Sequence, residues 1–181
     1  MRSTTEALRA FEKSVERYID ELTPFSMEQL LAKPSEEEWS IGQMVVHLIR
    51  SANNLHLRNV DQCMAGSEAV LVGTGVKSEN GKAAFELGSF PPIRIRVPAS
   101  PHYTPEQPDN KEQLIEGLRE VAERMKLTEP ALIQAPRENT VPHPNFGALN
   151  AAEWFLLIEM HYRHHFLQLE RLKLFLEDVH V

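Results

Sequence analysis

The run His161-Tyr162-Arg163-His164-His165 is the place where this sequence most openly offers chemistry. On a helix of about 3.6 residues per turn, positions four apart point nearly the same way, so His161 and His165 can present two ring nitrogens to one ion. His164 lies about 100° around the same helix and belongs to the flank of that row. Read as core histidines, His161 and His165 would each need a separate hydrogen-bond partner, whereas a shared metal satisfies both at once. A transition-metal site needs at least a third protein ligand, which must come from another segment. His47, in Val45-Val46-His47-Leu48, is the leading candidate, although it stands on the shoulder of its apolar stripe beside Met44 and Ser51. His56, His102, His143 and His180 are further options. Imidazole-only ligation favours zinc, nickel, copper or ferrous iron over magnesium and calcium.

Other reactive types are sparse. Cys63 is the single cysteine, which excludes an internal disulfide and any multi-cysteine metal site, and a solitary cysteine more often packs than reacts. Arg94, Arg96 and Arg163 could hold a substrate carboxylate, with solvated surface charge as the plainer reading. A di-iron carboxylate centre would need Glu-x-x-His on two helices, and the chain has only Glu177-Asp178-Val179-His180 at its end.

Four helical segments must position these groups, each opened by a residue pair able to close a capping box. Ser3 with Glu6 precedes the stripe Leu8, Phe11, Val15, Tyr18 and Leu22; Ser40 with Gln43 precedes Ile41, Val45, Leu48, Ala52 and Leu55, running on to about Gly66. Asn110 with Gln113 precedes Leu114, Leu118, Val121 and Met125; Asn150 with Glu153 precedes Trp154, Ile158, His161, His165, Gln168, Leu172 and Phe175. Ser26 with Gln29 marks a short helical turn closed by Pro34. Residues 66–108 are crowded with glycine and proline, so no long helix is expected there. Within it Ile93, Ile95 and Val97 alternate with Arg94 and Arg96, as in a short strand, an extended flap or a plain surface loop. Short links on either side and one long link between make an all-α four-helix bundle with its middle helices parallel.

Composition agrees with one folded domain. The chain has 181 residues, 42% hydrophobic and 25% charged, enough for a continuous core. A net charge of −7 argues against nucleic-acid binding, which relies on clustered Lys and Arg. Neither a signal-peptide core nor the roughly 18 apolar residues of a membrane span is visible, so a cytoplasmic protein with no membrane partner is expected.

Two stretches carry a family resemblance. Trp39-Ser40-Ile41-Gly42-Gln43-Met44-Val45-Val46-His47-Leu48 is similar to a tryptophan opening the second helix followed by His-Leu. His143-Pro144-Asn145-Phe146-Gly147, then Glu153-Trp154, then His161 to Gln168 is similar to a His-Pro-x-x-Gly lead-in and paired histidines followed by Gln. Together they resemble the DinB/YfiT-like superfamily of metal-dependent bundle proteins. The resemblance implies His47, His161 and His165 as the ligands, an up-down-down-up bundle over the whole of 1–181, a nickel or zinc ion in a cleft at one end, and a homodimer. It also implies an enzyme of hydrolase or low-molecular-weight thiol S-transferase type acting on a small molecule. Three neutral imidazoles leave a divalent ion its full charge and an open position, the arrangement that activates water or a thiol. The alternative is a non-catalytic, metal-stabilised bundle serving stress response or assembly, with a fourth ligand closing the site.

Overall fold

The computed structural model describes residues 2–92 and 104–179. It is mostly helical, with the elements α1 (Thr4–Leu22), α2 (Met27–Leu31), α3 (Ile41–Ser51), a π-helical stretch (Ala52–Leu57), α4 (Arg58–Ala65), β1 (Leu71–Val72), α5 (Glu79–Leu87), α6 (Lys111–Thr128), a 3-10 stretch (Glu129–Gln134), β2 (Asn139–His143), β3 (Gly147–Asn150) and α7 (Ala151–Val179).

Local chemistry starts these helices where the sequence says it should. The boxes Ser3/Glu6, Ser26/Gln29 and Ser40/Gln43 are closed in both directions. At α7 the Asn150 side chain accepts from Glu153 N–H while the Glu153 carboxylate accepts from Asn150 N–H. At α6 only half of the expected pair forms: Asn110 accepts from Gln113 N–H, but the Gln113 amide oxygen takes the N–H of Asp109 instead. Each satisfied amide removes one of the orphan donors at a helix start, and such a cap contributes about 1 kcal/mol.

Four long helical units enclose the core. α1 packs against α6 and α7, and the continuous unit from α3 to α4 packs against the same two, so each pair faces the other across the centre. Phe11, Tyr18 and Leu22 of α1, Met44, Leu48, Leu57 and Val60 of the second unit, Leu114, Leu118, Val121 and Met125 of α6, and Trp154, Phe155 and Ile158 of α7 are all fully buried. Burying each such side chain stabilises the fold by about 1.5–3 kcal/mol. Gly117 allows the α3–α6 contact: a Cβ there would come within 2.8 Å of Ile49 Cδ1. Polar links along these contacts include Tyr18 OH to Tyr162 O (2.8 Å), Lys173 Nζ to Glu21 (2.7 Å), Lys126 Nζ to Glu12 (3.3 Å) and Arg124 to Asp61 (2.7 Å).

The fold departs from the sequence reading in four respects. It is not purely helical, because β1, β2 and β3 form a small antiparallel sheet in that order, with Leu71 opposite Thr140 and Val141 opposite Leu149. The link between the last two long helices is accordingly not short, since it houses the 3-10 stretch and the β2–β3 hairpin. Residues 66–108 are not bare connection either, as they contribute β1 and the nine-residue α5, capped by Ser78 and ended by Gly88 at φ 65°. The alternation Ile93 to Val97 lies outside the described residues, as do Arg94, Arg96, His102 and His180.

The fourth departure is a change of phase in the second helical unit. Ile41, Val45, Leu48 and Ala52 face inward as expected, but Leu55 is 38% exposed and His56, the next residue, is 4% exposed. The cause is the π-helical stretch, in which one extra residue is accommodated per turn and every later side chain lags by about 100°. After it, Val60 and Cys63 are the residues that face the core.

Candidate metal centre

α3 and α7 bring three imidazoles to one point. His47 Nε2 lies 3.1 Å from His161 Nε2, and His165 Nε2 lies 3.1 Å from the same atom. The donor nitrogens of the three rings all fall within 4.8 Å of one another, and the side chains are partly exposed. Nitrogens bound to a tetrahedral zinc at about 2.0–2.1 Å would be separated by about 3.3–3.4 Å, close to the spacing found. The shoulder position of His47 on its helix is what places it at this half-open edge rather than in the packed interior.

The hydrogen bonds around the rings select the form able to bind a cation. His165 Nδ1 is 3.0 Å from the amide oxygen of Gln168, so Nδ1 carries the proton and Nε2 keeps its lone pair. His47 Nδ1 has a long contact of 3.5 Å to Ser51 Oγ, and its ring packs against Trp39 with centroids 4.9 Å apart. His161 Nε2 sits between two other Nε2 atoms, and one proton can serve only one of those contacts. With Nδ1–H on each ring, three lone pairs face a common centre, and a cation placed there relieves their repulsion. Burial also keeps the rings neutral: desolvation lowers His47 to about 4 and His165 to about 3, and His161 falls well below the usual histidine range through burial and then the neighbouring histidines. The residues present therefore fit a divalent ion.

The remaining candidates separate clearly. His164 stands aside from the trio, with its ring 5.9 Å from His165 and 5.8 Å from Phe90. His143 ends β2 and uses Nδ1 to accept from the backbone N–H groups of Asn145 and Phe146, so its His-Pro-x-x-Gly segment is a hairpin leading toward α7. Cys63 is fully buried, its Sγ 3.7 Å from Leu149 O, and burial pushes the thiol up to about 11, which is the packing role. Arg163 is occupied by Glu159 and by the carbonyl of Gly88. Among the described residues, no fourth His, Cys, Asp or Glu joins the trio.

One neighbour escaped the sequence reading, and another stood in it only as a further ligand option. Phe90, following α5, approaches His161 at 6.3 Å and stacks on Phe146 at 5.3 Å, and no pattern in its surroundings announces it. His56 meets His161 edge to face at 5.4 Å from within the π-helical stretch.

The chain belongs to the DinB superfamily, whose model matches residues 10–169. Among solved structures it is similar to YfiT from Bacillus subtilis, described as a probable metal-dependent hydrolase with an unusual four-helix bundle topology. The TM-score is 0.59 at 15% identity, covering 93% of this chain and 85% of that one. No curated protein matches the chain. No described helix is long and apolar enough to cross a membrane.

Proposed function

We propose that the chain is a metal-dependent enzyme that holds one divalent transition-metal ion, zinc or nickel, with His47, His161 and His165. The observation that carries this reading is the pair of 3.1 Å spacings that set three Nε2 atoms around one point. A divalent ion held by neutral imidazoles supplies the charge that makes a water or a thiol nucleophilic near neutral pH. The chain's own part is to fix the ligands. Gln168 holds the His165 ring in its binding tautomer, Trp39 packs at a tilt beside the His47 ring, and Trp154, bonded to Val141 O, anchors the start of α7. With no fourth described ligand in reach, one side of the centre is left for a substrate, which favours catalysis over a closed structural site.

The reaction we assign is hydrolysis of a small electrophile or transfer of a low-molecular-weight thiol to it, by one cytoplasmic domain spanning 1–181 that acts as a homodimer, without nucleic-acid or membrane partners. Similarity to a probable metal-dependent hydrolase supports the first of these. We also read the bundle as up-down-down-up. Arg2 with Glu159 and Lys173 with Glu21 support parallel α1 and α7, and Lys126 with Glu12 supports antiparallel α1 and α6.

The test is metal content after loading with zinc or nickel, on the wild type and on His161→Ala and His165→Ala. One ion per chain in the wild type and a loss in both variants is the expected result, followed by a screen of hydrolysis and thiol conjugation. Wild-type protein that retains no ion from either metal would sink the reading.

A further inference from the structure

His56 is a buried polar side chain in ring contact with the three-histidine centre that the reading above does not use. Nine residues separate it from His47, so an uninterrupted α-helix would turn it about 180° away. The π-helical stretch Ala52–Leu57 takes back part of that rotation, and within it His56 is buried while Leu55 is partly in solvent. Exchanging an apolar for a polar residue in the core is unfavourable unless the polar group has a task there.

The task is visible in two nitrogens. His56 Nδ1 and His161 Nδ1 are both buried, and neither has a hydrogen-bond partner among the described residues. Their rings stand edge to face, 85° apart in plane, with centroids 5.4 Å apart. Of the three proposed ligands, His165 has Gln168 on its Nδ1 and His47 has the long contact to Ser51, while His161 has no such group. A ligand histidine almost always donates its second ring N–H to an acceptor, which fixes its tautomer and orientation.

We infer that His56 is the positioning residue for His161, accepting the His161 Nδ1 proton on its own Nδ1 through one bridging water. This role rests on the metal reading of the centre. It requires His56 to carry its proton on Nε2 and to keep Nδ1 bare, so that the water accepts from His161 Nδ1 and donates to His56 Nδ1. The side-chain oxygen of an asparagine reaches the place of His Nδ1, so His56→Asn can preserve the interaction, while His56→Phe keeps the ring shape and removes the acceptor.

Zinc affinity by chelator competition, with thermal melting of the metal-free proteins alongside, tests the assignment on the wild type, His56→Phe, His56→Asn and His161→Ala. His56→Phe should bind zinc about 10–100-fold more weakly than the wild type while its metal-free form melts cooperatively, and His56→Asn should stay within about threefold. Zinc binding by His56→Phe within about threefold of wild type, or an equal loss in the phenylalanine and asparagine variants, overturns the role. Should the phenylalanine variant not fold, the ring nitrogen spectrum of the wild type decides. A proton on His56 Nε2 with Nδ1 bare supports the assignment, and a proton on His56 Nδ1 refutes it. A wild type that binds zinc no better than His161→Ala instead removes the metal reading itself, and this role with it.

Discussion

His165 and Gln168, one turn apart on α7, are joined by a 3.0 Å contact between Nδ1 and the amide oxygen, which leaves His165 Nε2 bare and aimed at His161. A glutamine placed three residues after a proposed ligand thus does the work of a partner for the ring. Gln168→Leu keeps the side-chain bulk and removes the acceptor, so zinc or nickel affinity is expected to fall about 10–100-fold while the metal-free helix content stays unchanged. Chelator competition and circular dichroism measure the two halves, and an affinity equal to wild type would dissociate Gln168 from the centre.

The depressed histidines make the metal-free fold sensitive to acid. Burial lowers His47 and His143 to about 4 and His56 and His165 to about 3, against an ordinary value near 6.5. Between pH 6.5 and those values the unfolded chain takes up protons that the fold refuses, so stability is full above about 6.5 and falls as the pH drops toward about 3. Urea midpoints of the metal-free protein should therefore decline steadily from pH 7.5 to pH 5.5, before most carboxylates titrate. A flat profile across that interval would show that these rings are solvated in the fold.

The features that were legible in the sequence are those set by near neighbours. Ser3 with Glu6 and Ser40 with Gln43 close their boxes within one turn, and His161 with His165 share a face of α7 whatever packs against it. What was illegible depends on distant chain. Leu71 pairs with Thr140, a partner no local pattern names, and two residues of strand are too few to show alternation. The exchange of Leu55 for His56 has the same origin. Ala52–Leu57 holds neither glycine nor proline to mark the extra residue in its turn, and past it Asp61 of α4 reaches Arg124 of α6. A periodic reading carries its phase straight through such a stretch and turns the wrong side chain inward.

Gly147 ties the β2–β3 hairpin to the segment before α5. Its φ is 73°, and a Cβ would stand 2.6 Å from Val76 O and closer still to Ser78 N, where Ser78 N–H bonds Phe146 O at 3.0 Å and Ala148 N–H bonds Val76 O at 3.0 Å. Gly88 has nearly the same backbone, φ 65°, but open space around it. Gly88→Ala should cost about 1 kcal/mol from the backbone alone, and Gly147→Ala distinctly more, because the clash adds to it. At about 2–4 °C per kcal/mol for a chain of this size, calorimetry should separate the two melting points, and equal losses would mean that the hairpin gives way freely.

The π-helical stretch makes the second helical unit tolerant of a deletion that another helix cannot absorb. The stretch is an α-helix with one residue too many, so removing the exposed Asn54 returns it to α geometry while Ala52 on one side and Val60 and Cys63 on the other keep facing the core. Removing the exposed Glu116 from α6 has no surplus to draw on, and it turns Gly117, Leu118, Val121 and Met125 by about 100° relative to Leu114, carrying them out of their packing. The Asn54 deletion should melt cooperatively and bind zinc about as the wild type does, since His47, His56, His161 and His165 retain their places. The Glu116 deletion should lose cooperative melting, because several buried side chains that each contribute about 1.5–3 kcal/mol are displaced together. Equal collapse of the two variants would mean that the extra residue is a fixed part of the packing rather than a surplus, and that His56 reaches the core by another route.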